Sequence, residues 1–106
     1  MNWLALTDYT QIKKALEKSE PFLVFKHSTR CSISSMAKSR FERNCDLEGV
    51  HLFYLDLISY RSISNQLAED FEVVHQSPQL LLIQNGSCTY NASHNSINLS
   101  EIKALL

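Results

Sequence analysis

The chain has 106 residues, 44% of them apolar and 9% aromatic, with only two glycines and two prolines. That profile fits one compact domain with a modest core and excludes a linker or a disordered tail. Ten basic residues against eleven acidic ones give a formal charge of -1 without a lysine/arginine cluster, so nucleic acid and an anionic membrane are poor partners.

The longest apolar runs are four or five residues, and no basic region precedes a long hydrophobic stretch at the N-terminus. Neither a membrane span nor a leader is expected, and the cytoplasm is the expected location. Three cysteines, at 31, 45 and 88, are an odd set without metal-ligand spacing. They fit reducing surroundings better than a disulfide-stapled secreted fold. His27 and Cys31 stand four apart, but no second pair repeats the spacing, so no metal site is expected.

In chain order, Asp8 followed by Gln11 resembles a capping box. Tyr9, Ile12 and Leu16 then recur on one face, which predicts a helix over roughly 8–19, stopped by Pro21. "PFLVF" suits a central strand covered on both faces. After Cys31, Ile33, Ala37 and Phe41 recur every four residues with Met36 beside them, predicting a helix to about Asn44. "GVHLFYLDL" is again strand-like. Ser59 can cap a following helix whose inner face is Ile63, Leu67 and Phe71. "QLLLI" predicts another strand, "NGS" a tight turn, and "CTYNAS" a more polar edge strand. "INLSEIKALL" closes the chain as a short helix, with Ile97, Ile102 and Leu105 available for packing. Layer rules turn this order into an α/β fold, a four-stranded mixed sheet with helices on both faces.

The stretch "HSTRCSIS" carries the chemical question. A thiolate at Cys31, between a buried strand and a helix, faces unpaired backbone N–H groups and the positive end of the helix. Both lower a cysteine's pKa and prepare the sulfur for thiol–disulfide exchange. Lys26, His27 and Arg30 add local positive charge in the sequence. Taken alone, C-x-x-S fits a structural thiol as well, and Pro78 fits an ordinary trans proline that begins a strand.

With these segments in view, the sequence resembles the thioredoxin superfamily, and especially the monothiol bacilliredoxins, the YtxJ-like family associated with the small thiol bacillithiol. The resemblance rests on "HSTRCSIS", "YLDLISYRSISNQLAEDF", "VVHQSPQLLLIQNG" and "SHNSI". Family members typically carry T-C-P-I-S, where this chain has Arg30, Cys31, Ser32, Ile33 and Ser34. The residue before the cysteine is thus basic, and the proline after it is replaced by Ser32.

The resemblance implies a thioredoxin-like three-layer fold with Cys31 as the nucleophile and a cis Ser77–Pro78 bond facing it. Ser34 then stands where a dithiol enzyme places its resolving cysteine, which leaves a single-cysteine mechanism. Arg30, His27, Ser34, Ser77 and Pro78 are the expected supporting residues, and Ser32, His75 and Gln76 the expected groove. The implied activity is removal of bacillithiol from protein mixed disulfides. Bacillithiol serves as thiol cosubstrate, no cofactor is tightly bound, and the protein is a monomer. The partners implied are bacillithiolated proteins and a low-molecular-weight thiol. Two other functions stay open on the same residues: a glutathione-linked monothiol redox protein, and a non-catalytic binding module that holds an extended segment beside Pro78. Cys45 and Cys88 are expected to be structural, and Asp56 with Arg61 an orienting ion pair or a solvated loop.

Overall fold

The computed structural model describes residues 3–28, 32–47 and 49–106. Its elements run β1 (Leu4–Ala5), α1 (Thr10–Glu17), β2 (Phe22–His27), α2 (Ser32–Asn44), β3 (His51–Asp56), α3 (Arg61–Asp70), β4 (Gln79–Gln84), β5 (Ser87–Ser93), a 3-10 turn (His94–Ser96) and α4 (Leu99–Leu105). The sheet has five strands in the order β1-β3-β2-β4-β5, not four. The added strand is the two-residue β1, which pairs parallel with Phe53 and Tyr54 of β3. Two residues are too short to show a period of two, so pairing alone defines them.

β2 lies at the centre, parallel to β3 and antiparallel to β4. All six of its residues are buried, as a strand covered on both faces requires. Alternation divides the interior. Phe22 and Val24 join Ile12 and Ala15 of α1 and Ile63 and Leu67 of α3 on one side. Leu23 and Phe25 join Ala37 and Phe41 of α2 and Ile102 of α4 on the other.

α1 is capped reciprocally around Asp8. The Asp8 carboxylate accepts from the Thr10 N–H at 2.9 Å, while Gln11 Oε1 accepts from the Asp8 N–H at 3.0 Å. The helix is shorter than its apolar pattern predicts, because Ser19 turns to a φ of 57° two residues after it ends. Asn85 and Gly86, at φ 52° and 78°, make the tight turn between β4 and β5. A bulge follows, with Ile83 opposite Cys88 and Leu82 opposite Tyr90.

Several side chains depart from the pattern-based expectation. Ile33 and Met36 of α2 are 57% and 70% exposed, while Ala37 and Phe41 are buried. α2 turns a narrow stripe to the sheet, Ser34, Ala37 and Phe41, and Ile33 and Met36 lie outside it. Leu105 is exposed, although Ile97 and Ile102 are buried. Ser59 does not cap α3; its hydroxyl donates to Asp56 Oδ2 at 3.1 Å, and Asp56 Oδ1 accepts from the Ile58 N–H at 3.1 Å. Asp56 is therefore committed to its own turn, and no Asp56–Arg61 ion pair forms among the described residues.

Candidate functional site

Strand register sets the site. Lys26 pairs with Leu55 on one side and Gln79 on the other, and Gln79 pairs with Ser93. The C-terminal ends of β2, β3 and β5 and the start of β4 thus lie along one margin of the sheet. The chain passes from β2 to α2 at that margin. Cys31 and Arg30 fall in this connection, outside the described residues, and Cys31 directly precedes Ser32, the first residue of α2.

His27 and Ser34 close the connection from both ends. Ser34 is fully buried, and its Oγ accepts from the Ser28 N–H at 3.1 Å and lies 2.6 Å from His27 Nδ1. The hydroxyl has one proton and two lone pairs, so it can accept from the Ser28 N–H and still donate to Nδ1 of a neutral imidazole protonated at Nε2. Burial holds the His27 pKa below its ordinary value, and the Lys38 charge lowers it further. His27 is therefore a neutral hydrogen-bonding partner and not the local cation expected from the sequence.

Lys26 is displaced from that role too. It is fully buried on the α1/α3 side of the sheet, and its Nζ lies 3.4 Å from both the Ser64 carbonyl, to which it donates, and His75 Nδ1. Burial lowers its pKa to about 8. The Ser64 hydroxyl also reaches His75 Nδ1, at 3.1 Å. Burial, then Lys26 and Arg61, keep the His75 pKa below its usual value. His75 Nδ1 faces this internal cluster.

The Ser77–Pro78 peptide is cis, and its loop is tied down on both sides. The buried Gln79 donates through Nε2 to the Val74 carbonyl at 3.0 Å and accepts at Oε1 from the Gln76 N–H at 3.4 Å. The Ser93 hydroxyl donates to Gln76 Oε1. The His94 N–H donates to the Pro78 carbonyl at 3.1 Å, and Arg40 of α2 donates to the His94 carbonyl at 3.0 Å. A continuous path thus links Pro78, the 3-10 turn and α2. Gln79 and Ser64 were not singled out from the sequence. Gln79 carried a signal, as a polar residue heading the apolar run "QLLLI"; Ser64 carried none, since α3 periodicity marks only its neighbour Ile63.

The remaining thiols stand away from this margin. Cys45 follows the last residue of α2, a 13-residue helix that spans about 20 Å. Cys88 sits opposite Ile83, at the other end of the β4–β5 pair from Gln79 and Ser93. Its Sγ donates to the Tyr90 carbonyl at 3.3 Å, and burial pushes its thiol pKa up. His51 pairs with Glu20 at 2.6 Å, far along β3 from Asp56. Among the described residues, no group of His, Cys, Asp and Glu is arranged to hold a metal ion, and no helix is long and apolar enough to cross a membrane.

A mixed sheet flanked by helices, with a cis proline directly before β4, defines a thioredoxin-like protein. The same fold occurs in a solved protein, a putative oxidoreductase with a thioredoxin fold, that is 29% identical, covering 95% of this chain and 90% of that one with a TM-score of 0.79. It also occurs in a mutant thioredoxin from Halobacterium salinarum (14% identity, 96% and 85% coverage, TM-score 0.72) and in oxidised thioredoxin from Plasmodium falciparum (14% identity, 98% and 94% coverage, TM-score 0.70). Within that class the chain belongs to the monothiol bacilliredoxin BrxC family, which it matches over residues 4–102.

Proposed function

We propose that this protein is a monothiol oxidoreductase that removes bacillithiol from protein mixed disulfides through Cys31. The observation that carries the proposal is Ser34. At the position of a resolving cysteine stands a buried hydroxyl engaged by Ser28 and His27, while the thiols of Cys45 and Cys88 belong to other parts of the fold. Resolution therefore comes from outside the chain.

The Cys31 thiolate attacks the bacillithiol sulfur, a new S–S bond forms to Cys31, and the repaired protein departs as a thiolate that takes up a proton. A second thiol, as its thiolate, then attacks the bacillithiol sulfur of the Cys31 adduct, forming a disulfide with bacillithiol and releasing Cys31 as the thiolate. No tightly bound cofactor takes part, a monomer suffices, and the cycle suits the reducing cytoplasm. The first turn of α2 holds no acidic residue, so the positive end of the helix acts on the adjoining cysteine without local compensation. With Lys26 and His27 internally committed, the helix terminus and Arg30 remain as sources of thiolate stabilisation.

Intact-mass analysis tests the reading. Incubation with a bacillithiolated protein should release that protein's thiol and leave one bacillithiol on the wild type, but none on Cys31→Ser. Equal modification and turnover by Cys31→Ser would overturn it. Matched glutathione adducts, released faster than bacillithiol adducts, would assign the other small thiol. Partner affinity that survives both Cys31→Ser and reductant would indicate a binding module.

A further inference from the structure

Ile33, Met36, Arg40 and Arg43 follow the three- and four-residue spacing of a single helix face. Their chemistry changes along it. The two residues nearest Cys31 are apolar and exposed, and the next two are arginines. Ile33, Met36, Ala37, Arg40 and His94 line a groove of about 240 Å³ between α2 and the 3-10 turn. The outer face of α2 continues it over Ser35, Met36, Ser39, Arg40 and Arg43. No carboxylate occurs among the described residues lining either one.

The stripe does not serve the core. Met36 and Ile33 are too exposed to stabilise the sheet packing. Arg43 forms no ion pair among the described residues. By contrast, Lys38 on the neighbouring face is paired with Glu42 at 2.9 Å. Arg40 is half-buried, and its guanidinium is oriented by the His94 carbonyl. A fixed guanidinium fork is suited to carboxylate, and the Ser35 and Ser39 hydroxyls suit a hydroxylated ligand. Arg40 lies roughly 12 Å along the helix from Ser32, within reach of the far end of a small thiol joined to the neighbouring cysteine.

We propose that this α2 face is an anion subsite that receives the hydroxylated, carboxylate-bearing end of the low-molecular-weight thiol carried on Cys31. The inference rests on the monothiol reading of the site. The ligand's cysteinyl portion crosses Ile33 and Met36, and its carboxylates meet Arg40 and Arg43. Bacillithiol, a cysteinyl glucosaminyl malate, has this order of groups; glutathione shares the carboxylates but lacks the sugar.

Binding to Cys31→Ser protein, followed by calorimetry and by the amide resonances of Ser35 and Ser39, reads the subsite without turnover. The probes are S-methyl bacillithiol, its counterpart lacking the malyl group, and S-methyl glutathione. S-methyl bacillithiol should bind at least tenfold more tightly than the malyl-free probe, and added salt should shrink that ratio. Arg40→Gln combined with Arg43→Gln should bring the ratio close to one, with Arg43→Lys retaining most of it. Arg43→Gln alone, which disturbs no described contact, should reduce it by several-fold, so the conclusion does not depend on the Arg40–His94 link. An equal advantage for S-methyl glutathione supports a general carboxylate subsite; no such advantage supports one selective for the sugar-bearing thiol. Equal binding with and without the malyl group, or an unchanged ratio in the double variant, would overturn the proposal. Because no exchange is required, failure of bacillithiol transfer with an intact binding ratio would overturn the enzymatic reading alone.

Discussion

Ser34 Oγ lies 2.6 Å from His27 Nδ1, joining the last residue of β2 to the first turn of α2. The same oxygen accepts from the Ser28 N–H. This one hydroxyl partners the buried His27 ring nitrogen and the half-buried Ser28 N–H. It thereby ties the end of β2 to the start of α2.

Ser34→Ala should lower unfolding stability by about 1–3 kcal/mol, the cost of leaving buried polar groups unsatisfied. Urea unfolding measures this directly. A double-mutant cycle with His27→Phe should show coupling above about 0.5 kcal/mol; additive losses would mean that the two side chains act independently.

Cys31 should titrate below the free-cysteine value of about 8.5. The pH dependence of alkylation, measured in a Cys45→Ser/Cys88→Ser background, gives its midpoint. Lys26→Met should leave that midpoint nearly unchanged, since Nζ is directed to Ser64 and His75. Arg30→Ala tests the remaining expected cation. A midpoint at or above the free value would indicate a structural thiol.

Lys26 links stability to pH. Its pKa falls from 10.5 to about 8 on folding, so between these values the unfolded chain binds more protons and stability rises with pH. Below about pH 8 the penalty for a charged buried lysine is fully present, about 3 kcal/mol. Lys26→Met should remove the rise between pH 8 and 9.5. At pH 7 it should be more stable by about 1 kcal/mol, the relieved penalty less the lost hydrogen bonds. Cys88, with its raised pKa, has the opposite sign at the alkaline end. Both proteins are therefore compared in a Cys88→Ser background. An equal slope in the two would show that other groups control the window.

His27 and His75 act at the acidic end. Both have pKa values lowered on folding, chiefly by burial, so their contribution is complete above the unfolded value of about 6.5 and is lost as pH falls below it. Thermal melts should show a drop in Tm from pH 7 to 5 that His75→Gln makes shallower. An unchanged slope would show that His75 does not contribute.

Gln79 fastens the segment before the cis peptide. Gln79→Leu removes the bonds to the Val74 carbonyl and the Gln76 N–H. Hydrogen exchange at Gln76 should accelerate by about tenfold or more, the equivalent of roughly 1.4 kcal/mol of local opening, while exchange in β2 changes little. Equal acceleration in both would mean global destabilisation instead.

Much of the fold was legible in local patterns. The apolar runs at 22–25 and 80–83, the Asn85–Gly86 turn, the Asp8–Gln11 cap and the helical repeats of Ala37/Phe41 and Ile63/Leu67 appear where the residues dictate. In each case neighbours in sequence make the interaction. The family resemblance likewise pointed to the cis Ser77–Pro78 peptide. What tertiary structure decided was the meaning of residues whose partners come from distant elements. β1 exists as a strand only because β3 is there to pair with it. Lys26 and His27 look like a cationic pair beside Cys31, yet alternate side-chain directions send one to Ser64 and His75 and the other to Ser34. Ile33 and Met36 share the spacing of core residues, but the stripe of α2 that meets the sheet is Ser34, Ala37 and Phe41, which leaves them exposed. Periodicity identifies which side chains share a face; only the surrounding elements determine whether that face meets a core, a polar partner or solvent.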